Sequence, residues 1–106
     1  MTRFRAIVLA ISPLVAAQPA QAACVLYEHS NFAGALIEVP ANRPVQGMPK
    51  DLDNRTSSIK VGASCVLVAY HDPYFKGPMQ TWGPGDYPTL PADWDDVISS
   101  ARCNCR

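Results

Sequence analysis

No stretch of this 106-residue chain carries a sustained helical period, and ten prolines with six glycines favour many turns over long helices. Charge of one sign is missing as well. Nine basic residues face nine acidic ones, so nothing in the chain attracts nucleic acid or an anionic membrane. Histidine is scarce: His29 and His71 lie 42 positions apart. With Glu28 and Asp72 they occupy matching places, yet no Ser-His-Asp or Cys-His arrangement accompanies them. A zinc site on the two histidines would need two further ligands that nothing nearby supplies. The expectation is a protein that is not an enzyme.

Apart from its N-terminus, the chain has no run long or apolar enough to cross a bilayer. The N-terminus itself has three recognisable parts. Arg3 and Arg5 give a positive start, Ala6 to Ala17 is apolar, and Ala20-Gln21-Ala22 is a small-x-small cleavage site. This is a secretory signal peptide over residues 1–22, with the cut before Ala23. A retained membrane anchor needs about 20 apolar residues, and Pro13 interrupts a shorter run. Lipid modification of Cys24 is disfavoured by Gln21, which stands where such signals carry an aliphatic residue. The mature domain, 23–106, keeps seven of the nine basic residues and all nine acidic ones, a formal charge of −2. Its expected location is secreted or periplasmic, with no membrane contact after cleavage.

So small a domain buries a limited core and often needs staples. Cys24, Cys65, Cys103 and Cys105 give an even count in an exported chain, which reads as two disulfides. Cys103-x-Cys105 has the wrong spacing for a zinc knuckle. Cys24 and Cys65 open two halves of the chain, while Cys103 and Cys105 share one face of the last strand. Each opening cysteine is therefore expected to meet one of the terminal pair, in either order.

What the chain does contain, it contains twice. Tyr27-Glu28-His29-Ser30-Asn31-Phe32-Ala33-Gly34 recurs 43 residues later as Tyr70-His71-Asp72-Pro73-Tyr74-Phe75-Lys76-Gly77. Each copy is followed by an acid/amide pair and a serine pair. These are Asp53-Asn54-Arg55-Thr56-Ser57-Ser58 and, 42 residues on, Asp95-Asp96-Val97-Ile98-Ser99-Ser100. Self-similarity of this kind implies two equivalent supersecondary units folded against each other. Short runs rich in Val, Ile, Leu, Tyr and Trp read as strands at Cys24–Tyr27, Ala35–Val39, Ser58–Val61, Cys65–Tyr70, Met79–Trp82 and Ser99–Cys103. Pro40–Asp53 and Pro84–Trp94 are longer connections that cross between sheets, with room for a helical turn near Leu52 or Trp94. Four short strands per unit with one long return describe a Greek key. Two such units make an all-β, two-sheet sandwich, with Greek key 1 at about 24–62 and Greek key 2 at about 65–105.

Within each unit the aromatic-x4-aromatic-x-Gly run is expected to fold over as a hairpin. Tyr27 would meet Phe32, and Tyr70 would meet Phe75, contacts worth about 0.5–1.5 kcal/mol beyond burial. Gly34 and Gly77 would supply a positive φ, while Ser58 and Ser100 would tie strand to turn. Ser57 and Ser99 are free to point at a cation instead. Calcium takes six to eight oxygens of mixed type, and Asp53-Asn54 and Asp95-Asp96 offer such oxygens beside loop carbonyls. A single hexapeptide of this kind reads more simply as a turn. Two copies at matched distance behind an aromatic-Gly hairpin favour a calcium design.

Both repeats resemble the Greek key motif of the βγ-crystallin superfamily, (Tyr/Phe/Trp)-x4-(Tyr/Phe/Trp)-x-Gly. Both also resemble its microbial calcium signature, (Asn/Asp)-(Asn/Asp)-x-x-(Ser/Thr)-Ser, and Gly85-Asp86-Tyr87-Pro88 resembles the third-strand entry of many members. The resemblance runs from Cys24 to Cys105. It implies a double clamp in which each serine loop contributes to two calcium ions. One site would take the Glu28 and Arg55 carbonyls, the Ser57 hydroxyl and the Asp96 carboxylate. The other would take the His71 and Val97 carbonyls, the Ser99 hydroxyl and the Asn54 side chain. Asp96 brings a charge where Asn54 brings a neutral oxygen, so the first site is expected to bind tighter. Both should fall near Kd values of about 10⁻⁵ to 10⁻³ M, the range of extracellular modules.

An alternative comes from a different class. A bacterial metallopeptidase-inhibitor family is similar to this chain in size, export, two disulfides and crystallin-like fold. On that reading the partner is an extracellular peptidase, and Val39–Pro49 or Pro84–Ala92 is the presenting loop. Intact calcium hexapeptides are not required by such a role.

Overall fold

The computed structural model describes residues 23–106; the signal peptide expected over 1–22 lies outside the described residues. Alternation sets which face of each strand meets the core. In β1 (Cys24–His29) Cys24 and Leu26 are buried while Val25 and Tyr27 are half-exposed. In β3 (Ser58–Val61) only Lys60 escapes burial. The remaining strands are β2 (Ala33–Val39), β4 (Cys65–Asp72), β5 (Lys76–Trp82), β6 (Gly85–Tyr87) and β7 (Ser100–Cys105). A 3-10 turn, Pro73–Phe75, joins β4 to β5.

The strands form two antiparallel sheets, ordered β2-β1-β3-β6 and β5-β4-β7. Leu26, Val39, Ile59, Leu67, Trp82, Trp94, Ile98 and Ala101 pack between them, with Trp94 edge-on to Trp82 at 5.6 Å. The architecture is the expected all-β sandwich of two Greek keys.

Each unit lends its third segment to the other unit's sheet. β6, from the second unit, pairs with β3 through Ile59↔Tyr87, Lys60↔Asp86 and Val61↔Gly85. The matching segment of the first unit is reduced to a single bridge, Val45↔Ala101. The expectation of four strands per unit therefore holds for the second unit only. The cause is local. Arg43 donates its N–H to the Pro40 carbonyl at 3.2 Å, and Asn42, at φ 59°, donates to the Cys103 carbonyl at 2.7 Å, so the ladder stops.

Strand ends also differ from expectation, while β6 stands at Gly85–Tyr87, where the resemblance implied a third-strand entry inside the Pro84–Trp94 connection. β1 and β4 run on to His29 and Asp72, and β2 and β5 begin at Ala33 and Lys76. A bulge explains this in both hairpins. Glu28 stands opposite two residues of β2, Gly34 and Ala35, and His71 opposite two of β5, Gly77 and Pro78, before the register resumes at His29↔Ala33 and Asp72↔Lys76. A bulge leaves its extra residue unpaired and re-aims the strand.

The hairpins close alike. Tyr27 meets Phe32, and Tyr70 meets Phe75, edge-on at 5.6 Å and 68° in both cases. Gly34 and Gly77 take φ of 84° and 80°, and a Cβ at either would lie 2.5 Å from the His29 ring or the Asp72 carboxylate. The left-handed backbone is wider than the glycines, however. Asn31, Phe32, Tyr74 and Phe75 all have φ near 60° (59°, 61°, 59° and 62°). Fully buried serines hold these turns. The Ser58 hydroxyl donates to the His29 carbonyl at 2.6 Å and accepts from Phe32 N–H at 3.0 Å. The Ser100 hydroxyl does the same with Asp72 and Phe75, at the same distances.

Cys24 is bonded to Cys103, and Cys65 to Cys105. Each opening cysteine thus meets one of the terminal pair. The first bridge joins the two sheets; the second joins directly opposed residues of β4 and β7.

Candidate cation sites

Asn54 and Asp96 are left-handed, at φ 58° and 63°, a conformation that short polar side chains tolerate. The turn carries each loop across to the other. Asn54 N–H donates to the Ile98 carbonyl at 3.2 Å, and Asp96 N–H donates to the Thr56 carbonyl at 2.9 Å. Each serine strand is also pinned to the hairpin of its own unit, Ser57 N–H to the Tyr27 carbonyl and Ser99 N–H to the Tyr70 carbonyl, both at 2.9 Å.

Side chains from opposite units meet as a result. The Ser57 hydroxyl donates to Asp96 Oδ1 at 3.2 Å. Glu28, His29, Arg55, Ser57 and Asp96 line one open cavity of about 300 Å³. On the other side Ser99 lies 3.1 Å from Asn54 Oδ1 and 2.8 Å from Asp53 Oδ1. Of the expected ligands, Glu28, Arg55, Ser57 and Asp96 converge on the first site, and Asn54 and Ser99 on the second. Glu28 and His71 lie opposite the bulges of β2 and β5 and have no register partner on either neighbouring strand. The carbonyls assigned to them belong to residues that the ladders leave unpaired. Val97, the counterpart of Arg55, packs partly buried against the core.

Two features go beyond the ligand sets that the resemblance implied. Asp53 joins the second site, signalled only by its being the first acid of the hexapeptide. Arg55 brings its side chain to the first site as well as its carbonyl: Nη1 lies 3.8 Å from Glu28 Oε2. Glu28 is further engaged, accepting from Ala35 N–H at 3.2 Å through Oε1, with His29 Nε2 at 3.6 Å from the same oxygen. The first site therefore holds two carboxylates and a guanidinium. The second holds a carboxylate and an amide around a serine that is 4% exposed. The His71 ring stands edge-on to Trp94, 4.5 Å away.

The connections proposed as presenting loops are tied down along part of their length. Val45 exchanges hydrogen bonds with Ala101, Met48 N–H donates to the Ser99 carbonyl at 3.0 Å, and Leu90 N–H donates to the Ser57 carbonyl at 3.1 Å.

Residues 23–103 match the family model for Beta/Gamma crystallin. The chain belongs to that family. An archaeal betagamma-crystallin is 30% identical, with a TM-score of 0.64 over 74% of this chain and 93% of its own. A structure solved in work on the evolution of the eye-lens beta-gamma-crystallin domain fold is 26% identical, TM-score 0.73, over 87% and 94%. A betagamma-crystallin domain from Flavobacterium johnsoniae shares the fold at 19% identity and TM-score 0.69, over 79% and 96%. Among curated proteins no sequence match was found.

Proposed function

We propose that this chain is an exported, non-catalytic calcium-binding βγ-crystallin domain whose two ions clamp its Greek keys together. The observation that carries the reading is the pair of cross-unit contacts, Ser57 with Asp96 and Ser99 with Asn54 and Asp53. Each puts a hydroxyl beside an acid or amide oxygen from the other unit. Hard oxygen donors of this mixture suit calcium. Glu28, Arg55, Ser57 and Asp96 would hold one ion; His71, Val97, Ser99, Asn54 and Asp53 would hold the other. The cation neutralises carboxylates that otherwise depend on hydrogen bonds and Arg55.

We infer an order of affinities opposite to the one expected from sequence. At the first site the Arg55 guanidinium opposes a cation only weakly, because its pair with Glu28 is long and exposed. The second has its own carboxylate and a more buried, doubly engaged serine, and affinity follows charge and rigidity. Export rests on the leader sequence and on two disulfides, which persist in non-reducing compartments.

The reading is tested by thermal melts in EDTA and in millimolar calcium. A ligand that binds only the native state adds RT ln(1 + [L]/Kd), about 2.7 kcal/mol at a hundredfold excess. A raised Tm in calcium is the expected result. Superimposed melts would leave the hexapeptides as turn formers only.

A further inference from the structure

A second cavity lies away from the cation sites, about 400 Å³ in volume, lined by Ser64, Cys65, Val66, Pro84, Cys105 and Arg106, among others. Its wall contains the Cys65–Cys105 disulfide. The two bridges of this protein have unlike surroundings. Cys24 and Cys103 are both fully buried and covalently join the two sheets. Cys105 is partly exposed, and Cys65–Cys105 joins residues already opposed in the six-pair β4–β7 ladder. Hydrogen bonds from the Asn42 side chain and from the backbone hold that end of β7 independently. Asn42 accepts from Cys105 N–H at 3.0 Å and donates to its carbonyl at 3.2 Å, and Arg106 N–H donates to the Ser64 carbonyl at 3.1 Å. Opening this bridge leaves every one of those bonds in place.

We propose that Cys65–Cys105 is a thiol-exchange site, opened in the folded protein by small thiols that enter the adjoining cavity. The cavity is of the size that small ligands occupy, and Arg106 supplies positive charge, which favours thiolates. With a dithiol the steps balance as follows. One thiolate attacks Cys105 Sγ; the disulfide breaks, Cys65 leaves with the bonding pair and takes a proton from water. The second thiolate of the reagent closes on the first, releasing Cys105 as a thiolate and leaving the reagent as a cyclic disulfide. The released Cys105 has an internal target, because Cys103 Sγ lies 3.7 Å from Cys105 Sγ. Attack there forms Cys103–Cys105, breaks Cys24–Cys103 and frees Cys24. The pocket bridge is thus also the entry to the bridge that joins the sheets.

The test is limiting dithiothreitol on the oxidised protein in native buffer containing EDTA, followed by alkylation and peptide mass spectrometry, with the melt recorded in parallel. The expected result is alkylation of Cys65 at least tenfold faster than of Cys103, its companion being Cys105, or Cys24 once the hand-over has occurred. The melt should stay cooperative. A Cys65→Ser/Cys105→Ser double variant should keep a cooperative melt and lose the fast phase. Preferential labelling of Cys24 with Cys103, equal labelling of both pairs, or no labelling below the unfolding transition would overturn the proposal.

Discussion

The two Greek keys of this chain share their hairpins and serine corners and differ in the third strand and in the side chains at the proposed cation sites. Their aromatic corners agree in distance and angle, and their serine corners agree bond for bond. Even the stacked cations match, with Lys60 over Phe32 and Arg102 over Phe75. Differences cluster where the proposed cation sites lie. Glu28 faces His71, Arg55 faces Val97, Asn54 faces Asp96, and Leu52 faces Trp94 across the pseudo-twofold relation. The residues that make the corners are thus the same in both units, whereas Glu28, Asn54 and Arg55 have different counterparts. The lesson is that a repeated motif predicts the backbone of the corners it spans well, and the electrostatics around them poorly.

The comparison can be broken most severely at its apolar end. Trp94 packs on Trp82 and His71, whereas its counterpart Leu52 is a smaller buried residue. Trp94→Ala should cost about 3–5 kcal/mol in urea unfolding, and Leu52→Ala about 2–5. A smaller loss at Trp94 than at Leu52 would mean that the aromatic stack contributes little.

The serine corners test the opposite claim, that the units are equivalent. Ser58→Ala and Ser100→Ala each strand a buried hairpin N–H, at a cost of about 1–3 kcal/mol. The two values should agree within the error of the melts. Unequal losses would show that identical geometry hides unequal strain.

A smaller effect, of opposite sign, is expected at Thr56. Its hydroxyl is fully buried without a hydrogen-bond partner, and the matching residue of the second unit is Ile98. Thr56→Val removes an unpaired polar group at nearly constant shape and should stabilise the protein by about 1 kcal/mol. Destabilisation would show that the hydroxyl has a partner in solution.

The smallest effect concerns Arg55, whose side chain is 61% exposed. Exposed pairs contribute little, so Arg55→Ala should tighten calcium binding at the first site by only roughly two- to fivefold. Weaker binding in this variant would assign the guanidinium a supporting role.

Much of this molecule was legible in its sequence because the signals were local. Tyr27, Phe32 and Gly34 define a hairpin within eight residues, and the serine pairs stand at fixed distance from it. The cysteine order placed the bridges between the correct halves and left only the order of partners open. Contacts that depend on the meeting of distant loops were harder to see. Nothing in the spacing says that Asp53 lies nearer Ser99 than Asn54 does, or that Arg55 turns back to Glu28. The loss of a strand around Val45 had an equally hidden cause, a turn at Asn42 that diverts one N–H to Pro40. The bulges opposite Glu28 and His71, at Gly34-Ala35 and Gly77-Pro78, lengthened the hairpins beyond their expected ends because the ladder resumes past them.

The most direct test of the clamp is calorimetric titration of calcium into the oxidised protein and into Asp53→Asn. Two binding events are predicted for the parent, with the tighter one weakened about tenfold in the variant and the other unchanged. A parent that gives no heat and no shift in melting would contradict the clamp itself. Two events that both survive Asp53→Asn unaltered would contradict the assignment of Asp53 and the ranking of the sites built on it.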